Sequence, residues 1–139
     1  MLTIYMDAAF DPKTGEAGLA YVIIEGQSRQ HKKYYCSKLM DNHQAEFVCL
    51  RQVLRDPLLV KSSLNQVIAI KTDSKIVTDS FDKGYVRSNH YQAYLSEILQ
   101  LADQFDLIFV TWLPEGKNKQ ADGLAKQALH RQGQVEVLS

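Results

Sequence analysis

Cysteine is scarce in this 139-residue sequence: only Cys36 and Cys49 occur, and they show no C-x-x-C or comparable ligand spacing. A thiolate metal site is therefore not expected, and a reduced, cytoplasmic chain is the simplest reading. Cys49 falls in a helical run and reads as a small buried apolar residue. Net charge is also missing, since 16 Lys+Arg balance 16 Asp+Glu. That argues against a protein held to nucleic acid by bulk charge, though not against a local basic patch. No basic region followed by an apolar one opens the chain, so no signal peptide is expected. No apolar run approaches the ~18 residues that span a bilayer, so no membrane partner is expected. Repeats, low-complexity segments and linkers are absent too. Residues 1–139 read as a single domain with one core, acting as a monomer.

What is present is a change of period along the chain. Leu2, Ile4 and Met6 alternate with Thr3, Tyr5 and Asp7, the pattern of a strand that ends in an acid. Asp11-Pro12-Lys13-Thr14-Gly15 is a turn by its chemistry. Two more strands follow, Ala17 to Glu25 and Gln30 to Ser37, and complete an antiparallel meander. Gly18, inside the second, suggests a bulge or a close backbone approach. From Asn42 to Arg55 the apolar spacing becomes helical, with Asp41 or Asn42 as cap. Glu46 shares an inward stripe with Leu50 and Val53. Gln66 to Lys71 reads as a buried parallel strand, followed by Thr72 and Asp73. Helical runs through Val77 to Phe81 and Tyr91 to Gln104 lead to a strand at Leu107 to Trp112, where Trp112 reads as core. The last helix covers Asn118 to Arg131, and Gly133 to Ser139 is a tail or a short added strand. The expected fold is α/β, with a five-stranded mixed sheet of three antiparallel strands then two parallel ones, flanked by helices. Right-handed crossovers put the fourth strand beside the first and the fifth beside the fourth.

This topology brings Asp7 and Asp73 out side by side at one sheet end, where α/β sheets bind ligands. Glu46 can reach over from the first helix, and Asp122 opens the last one. Four carboxylates gathered there repel one another unless cations sit between them. Hard oxygen donors suit Mg²⁺ or Mn²⁺, and two such ions ~3.5–4 Å apart clamp an in-line attack at phosphorus. Each acid also has a plainer role: Asp7 as a turn acid, Asp73 and Asp122 as helix caps, Glu46 in a buried salt bridge.

Four segments carry a resemblance: Tyr5-Met6-Asp7 with Gly18 downstream, Asn42-His43-Gln44-Ala45-Glu46-Phe47, Thr72-Asp73-Ser74, and Trp112 through Asn118-Lys119-Gln120-Ala121-Asp122-Gly123-Leu124-Ala125. In this order they resemble the type 1 ribonuclease H (RNase HI) family over nearly the whole chain. The resemblance implies a ribonuclease H-like fold and hydrolysis of the RNA strand of an RNA/DNA hybrid with two Mg²⁺ ions, or Mn²⁺ in their place. It makes Asp7, Glu46, Asp73 and Asp122 the catalytic metal ligands. It places Asn42, His43 and Gln44 where the family reads the hybrid, with Ser74 and Asn118 polar positions near the acids. Gly18 would let the backbone approach substrate. Independently of the resemblance, Lys75, Lys117 and Lys119 sit near the acids and either meet phosphates or belong to an ordinary solvated face.

The chain also departs from the family. The loop Leu113-Pro114-Glu115-Gly116-Lys117 has no histidine, His43 replaces a second polar amide, and Phe81 to Ser88 is a short, mildly basic link where many members insert a basic helix and loop. Two function classes follow: a metal-dependent endoribonuclease acting on hybrids, or a ribonuclease-H-fold binding protein with weak or no turnover.

Overall fold

A computed structural model describes residues 1–62, 64 and 66–138. Three strands open the fold: β1 (Leu2–Asp11), β2 (Glu16–Glu25) and β3 (Ser28–Cys36). Helices α1 (Asn42–Leu54) and α2 (Pro57–Lys61) follow, then β4 (Val67–Thr72). Next come α3 (Lys75–Lys83), α4 (Asn89–Ala102), β5 (Leu107–Trp112), a 3-10 turn (Glu115–Lys117), α5 (Lys119–Leu129) and β6 (Glu136–Val137). The sheet order is β5-β4-β1-β2-β3-β6. β1 to β3 form the antiparallel meander, and β4 lies parallel between β1 and β5, as the crossover rule requires.

Four features differ from the sequence reading. The sheet has six strands, not five, because residues after α5 return along the free edge of β3; Leu138 N–H donates to Tyr35 O at 2.7 Å. The Ser139 end of that expected tail lies outside the described residues. Strand β1 does not end at Asp7. Its pairing with β2 runs on to Asp11 opposite Glu16, closed by a turn in which Gly15 holds φ +74°. The helix α2 was not foreseen, although Asp56-Pro57 is a cap followed by proline at the first helical position. Finally, Trp112 is about half exposed, because β5 is an edge strand.

The core follows from the strand period. Leu2, Ile4 and Met6 are fully buried with Ile68 and Ile70 of β4 and with Phe47, Leu50 and Val53 of α1. Each such side chain contributes roughly 1.5–3 kcal/mol by leaving water. α5 packs against β1, β2 and β3 through Ala121, Ala125 and Ala128, all fully buried. These small residues let the helix sit on Gly18. A Cβ there would lie 2.1 Å from Ala125 O and 2.2 Å from Leu129 N. Among the described residues no helix is long and apolar enough to cross a membrane.

Candidate active site

Asp7 occupies a special place in β1. On one side it is paired with Ala20 of β2. On the other, the β4 ladder stops at Tyr5 opposite Lys71, and two residues further along these strands stand Asp7 and Asp73. The sheet opens where the acids are, although Asp7 itself lies mid-strand. Glu46 comes from the second turn of α1, and its side chain is only 15% exposed. Asp122 lies in the first turn of α5. Asp7, Glu46, Asp73 and Asp122 line one cleft of about 410 Å³ with Asn42, Trp112 and Glu115.

The electrostatics of this cleft are strained. The Asp7 carboxyl is pushed up to about 8, first by burial and then by the charge of Asp73; Ala8 N–H opposes the shift, and Asp122 adds to it. Burial also raises Asp73, helped by Glu46, Glu115 and Asp122. The contrast with Asp56 is instructive. That acid is 2% exposed, yet it accepts from Tyr21 Oη (2.6 Å) and Leu58 N–H (2.9 Å) and pairs with Lys32 Nζ (2.8 Å). Asp7 is 8% exposed and accepts from Ala8 N–H at 2.9 Å, and among the described residues no cationic side chain pairs with it. A buried acid with a structural role is satisfied by its own fold; Asp7 is not.

This donor set fits a hard divalent cation. Among the described residues no three His, Cys, Asp or Glu side chains form a group that could hold a metal ion by themselves. The acids line an open cleft instead. Mg²⁺ is commonly held in such a place, by one or two carboxylates together with waters and substrate phosphates.

The remaining sequence candidates separate into three kinds. Asn42 is exposed and lines the cleft. His43 hydrogen-bonds Glu46, Nδ1 to Oε1 at 3.0 Å, and Lys75 Nζ lies 5.4 Å from the Trp112 ring at the rim. Four candidates build the fold. Gln44 spends its amide on Tyr94 Oη (2.7 Å) and its carbonyl on Met40 N–H (2.6 Å). Ser74 is buried and caps α3 by accepting from Val77 N–H. Asn118 is 2% exposed and donates from Nδ2 to Met6 O at 2.8 Å, tying α5 to β1. Gly18 meets α5, so the close approach foreseen there is a helix backbone. Lys117 lines a separate depression with Tyr5, Ile24 and Arg29.

Two cleft residues were missed. Glu115 is the one acid in the loop before α5, and Pro114 and Gly116 around it marked only a turn. Trp112 looked like core by hydrophobicity alone. Its Nε1–H donates to the Asp73 carbonyl at 3.2 Å, which fixes the backbone of that acid.

Comparison with known proteins agrees with this architecture. Residues 5–128 match the reverse transcriptase-like family. "Putative hydrolase EbsB" of Enterococcus faecalis is 40% identical over 94% of this chain and 96% of its own length. Among solved structures, the N-terminal RNase H domain of rv2228c from Mycobacterium tuberculosis is 25% identical, covers 94% of each chain and has a TM-score of 0.80. LC11-RNase H1 in complex with an RNA/DNA hybrid is 20% identical, with a TM-score of 0.84 over 94% of this chain and 98% of that one. The fold is the α/β ribonuclease H-like fold. The chain belongs to the reverse transcriptase-like family.

Proposed function

We propose that this protein is a divalent-metal-dependent endoribonuclease that hydrolyses the RNA strand of RNA/DNA hybrids. The observation that carries this reading is the convergence of Asp7, Glu46, Asp73 and Asp122, from four separate elements, on one cleft where, among the described residues, no cation pairs with the most buried acid. The hydrolase named in the Enterococcus relative and the hybrid bound by LC11-RNase H1 support the same class. The acting unit is a single domain, residues 1–139, working as a monomer.

The four acids hold the cations, Mg²⁺ or Mn²⁺. Bound there, two such ions would lower the pKa of an attacking water and neutralise charge on the leaving 3′ oxygen. Asn42, exposed at the cleft, offers an amide to the minor groove and its 2′-hydroxyls, the groups that distinguish RNA from DNA. Lys75 and Trp112 at the rim offer a cation for phosphate and an aromatic face for a base or sugar. Glu115 adds a further carboxylate beside Asp73.

A second reading, a hybrid-binding protein with weak turnover, is favoured by Lys117 lying outside the cleft and by the zero net charge. One experiment separates the two. Purified protein is incubated with labelled RNA/DNA hybrid in Mg²⁺ and in Mn²⁺, with Asp7→Asn and Asp73→Asn beside it. RNA and DNA duplexes serve as controls. Cleavage of the hybrid's RNA strand alone, lost in both variants, supports the enzyme. Hybrid binding without cleavage under either metal supports the second reading.

A further inference from the structure

Three of the four acids share an arrangement that the sequence does not reveal: one carboxylate oxygen is tied by a neighbour. Asp7 Oδ1 accepts from Ala8 N–H at 2.9 Å. Asp122 Oδ2 pairs with Lys126 Nζ, one helical turn away, at 3.0 Å. Glu46 Oε1 takes His43 Nδ1 at 3.0 Å, also within its own helix. The first two neighbours are generic, a backbone amide and a lysine two-thirds exposed. The third is built in. The His43 ring stands edge-on to Tyr91, with centroids 6.2 Å apart. Tyr91 is 7% exposed, stacks on the fully buried Phe47 at 5.3 Å, and hydrogen-bonds Asp41, the cap of α1. The imidazole is thus held between a carboxylate and an aromatic wall anchored in the core.

We propose that His43 is a positioning residue for Glu46: its Nδ1–H fixes Oε1 so that Oε2 faces the cleft as the oxygen offered to the metal. This rests on the metal-site reading above and assigns His43 to the metal side of the cleft rather than to the hybrid. The imidazole donates from Nδ1 as the neutral Nδ1–H tautomer or as the cation, so the contact does not depend on its charge. Without it, Glu46 keeps its place on α1 but its carboxylate turns freely. The ion must then select one orientation from several, which weakens its binding. Outer partners of this kind change metal affinity by about 10–100-fold when removed.

The test is Mn²⁺ affinity of the substrate-free protein by titration calorimetry, for wild type, His43→Ala, His43→Asn, Glu46→Gln and the His43→Ala/Glu46→Gln pair. Circular dichroism and melting confirm that each is folded. Asparagine matters because its side-chain amide nitrogen lies where the imidazole Nδ1 does. The expected result is a loss of at least about tenfold in His43→Ala, with His43→Asn within about threefold of wild type. The double variant should be no weaker than Glu46→Gln alone, since His43 acts through that carboxylate. Hybrid affinity measured in EDTA should be unchanged in His43→Ala. Wild-type Mn²⁺ affinity in His43→Ala would overturn the proposal, as would additive losses in the double variant. Lost hybrid affinity with intact metal affinity would return His43 to substrate reading. If wild type itself binds no Mn²⁺, the metal-site reading fails and the proposal falls with it, an outcome visible in the wild-type titration alone.

Discussion

Replacing Asp7 by asparagine should stabilise the metal-free protein, by an amount that grows with pH. The Asp7 carboxyl is 8% exposed and is pushed up to about 8 from its ordinary 3.8, first by burial and then by the charge of Asp73. A group raised in the folded state binds its proton more tightly there than in the unfolded chain. Its contribution is therefore fully present below about pH 4 and is lost as pH rises toward 8. At about 1.4 kcal/mol per pH unit the whole window reaches ~6 kcal/mol. Water enters the cleft and screens these charges, so half of that or a little less, about 2–3 kcal/mol, is the expected loss. The amide has no proton to release, so Asp7→Asn escapes the loss. For a chain of this length the difference in melting temperature at pH 8.5 should be about 6–9 °C, shrinking to near zero at pH 4. The assay is thermal and urea unfolding of both proteins in EDTA from pH 4 to 9. Taking the difference between them removes every other titrating group they share. Millimolar Mg²⁺ should then raise the wild-type melting point at pH 8.5 more than that of the variant. Parallel pH profiles, with a constant difference below about 0.5 kcal/mol, would refute the claim that Asp7 carries uncompensated charge.

Three further outcomes follow from the geometry. Gly18→Ala drives a Cβ into the backbone of α5, so the helix must move about 1 Å; a loss of about 1–3 kcal/mol is expected. Because α5 carries Asp122, cleavage should fall as well, by up to about 100-fold; a variant melting within 1 °C of wild type would contradict the packing. Asn118→Ala removes the donor to Met6 O and should cost about 1–3 kcal/mol in urea unfolding. Lys75→Ala should weaken hybrid binding in EDTA and lower the salt slope by about 1. In the same assay Lys117→Ala, in its separate depression, should change affinity less than about twofold; equal effects of the two would show that the hybrid path is misplaced.

How far the sequence could be read depends on which force set each feature. Glu46 was legible because helix period 3.6 puts it on the stripe of Leu50 and Val53, and its side chain is indeed mostly buried. Asp7 was legible as an acid beside Asp73 but was misplaced at a strand end. Hydrophobic alternation gives no sign of where a parallel partner stops, and here the β4 ladder ends at Tyr5 while the β2 ladder runs on. Trp112 was misread for a related reason: strand β5 lies at the sheet edge, and an edge is a property of the whole topology. The family resemblance put Gln44 where the hybrid is read, and Ser74 and Asn118 at polar positions near the acids. Their side chains turn inward to Tyr94, to the start of α3 and to Met6 O. A matching position in a motif does not say which way its side chain faces.

Those inward-facing residues explain how a fold tolerates the repulsion at its own cleft. Ser74 holds the turn that carries Asp73, with its own N–H on Thr72 Oγ1 at 3.1 Å and its hydroxyl capping α3. Asn118 fixes the start of α5 four residues before Asp122, and Gly18 lets that helix lie close enough to present it. Ligand and anchor should therefore fail in opposite senses. Neutralising an acid removes repulsion, so stability rises while function is lost. Removing an anchor leaves the repulsion in place and loosens what resists it, so stability and function fall together. Plotting melting temperature against hybrid cleavage for substitutions at Asp7, Asp73 and Asp122 on one side, and Gly18, Ser74 and Asn118 on the other, should give two separate groups. A single group in which the acid variants also melt lower would mean that these carboxylates stabilise the fold and that their charge is already balanced by the protein itself.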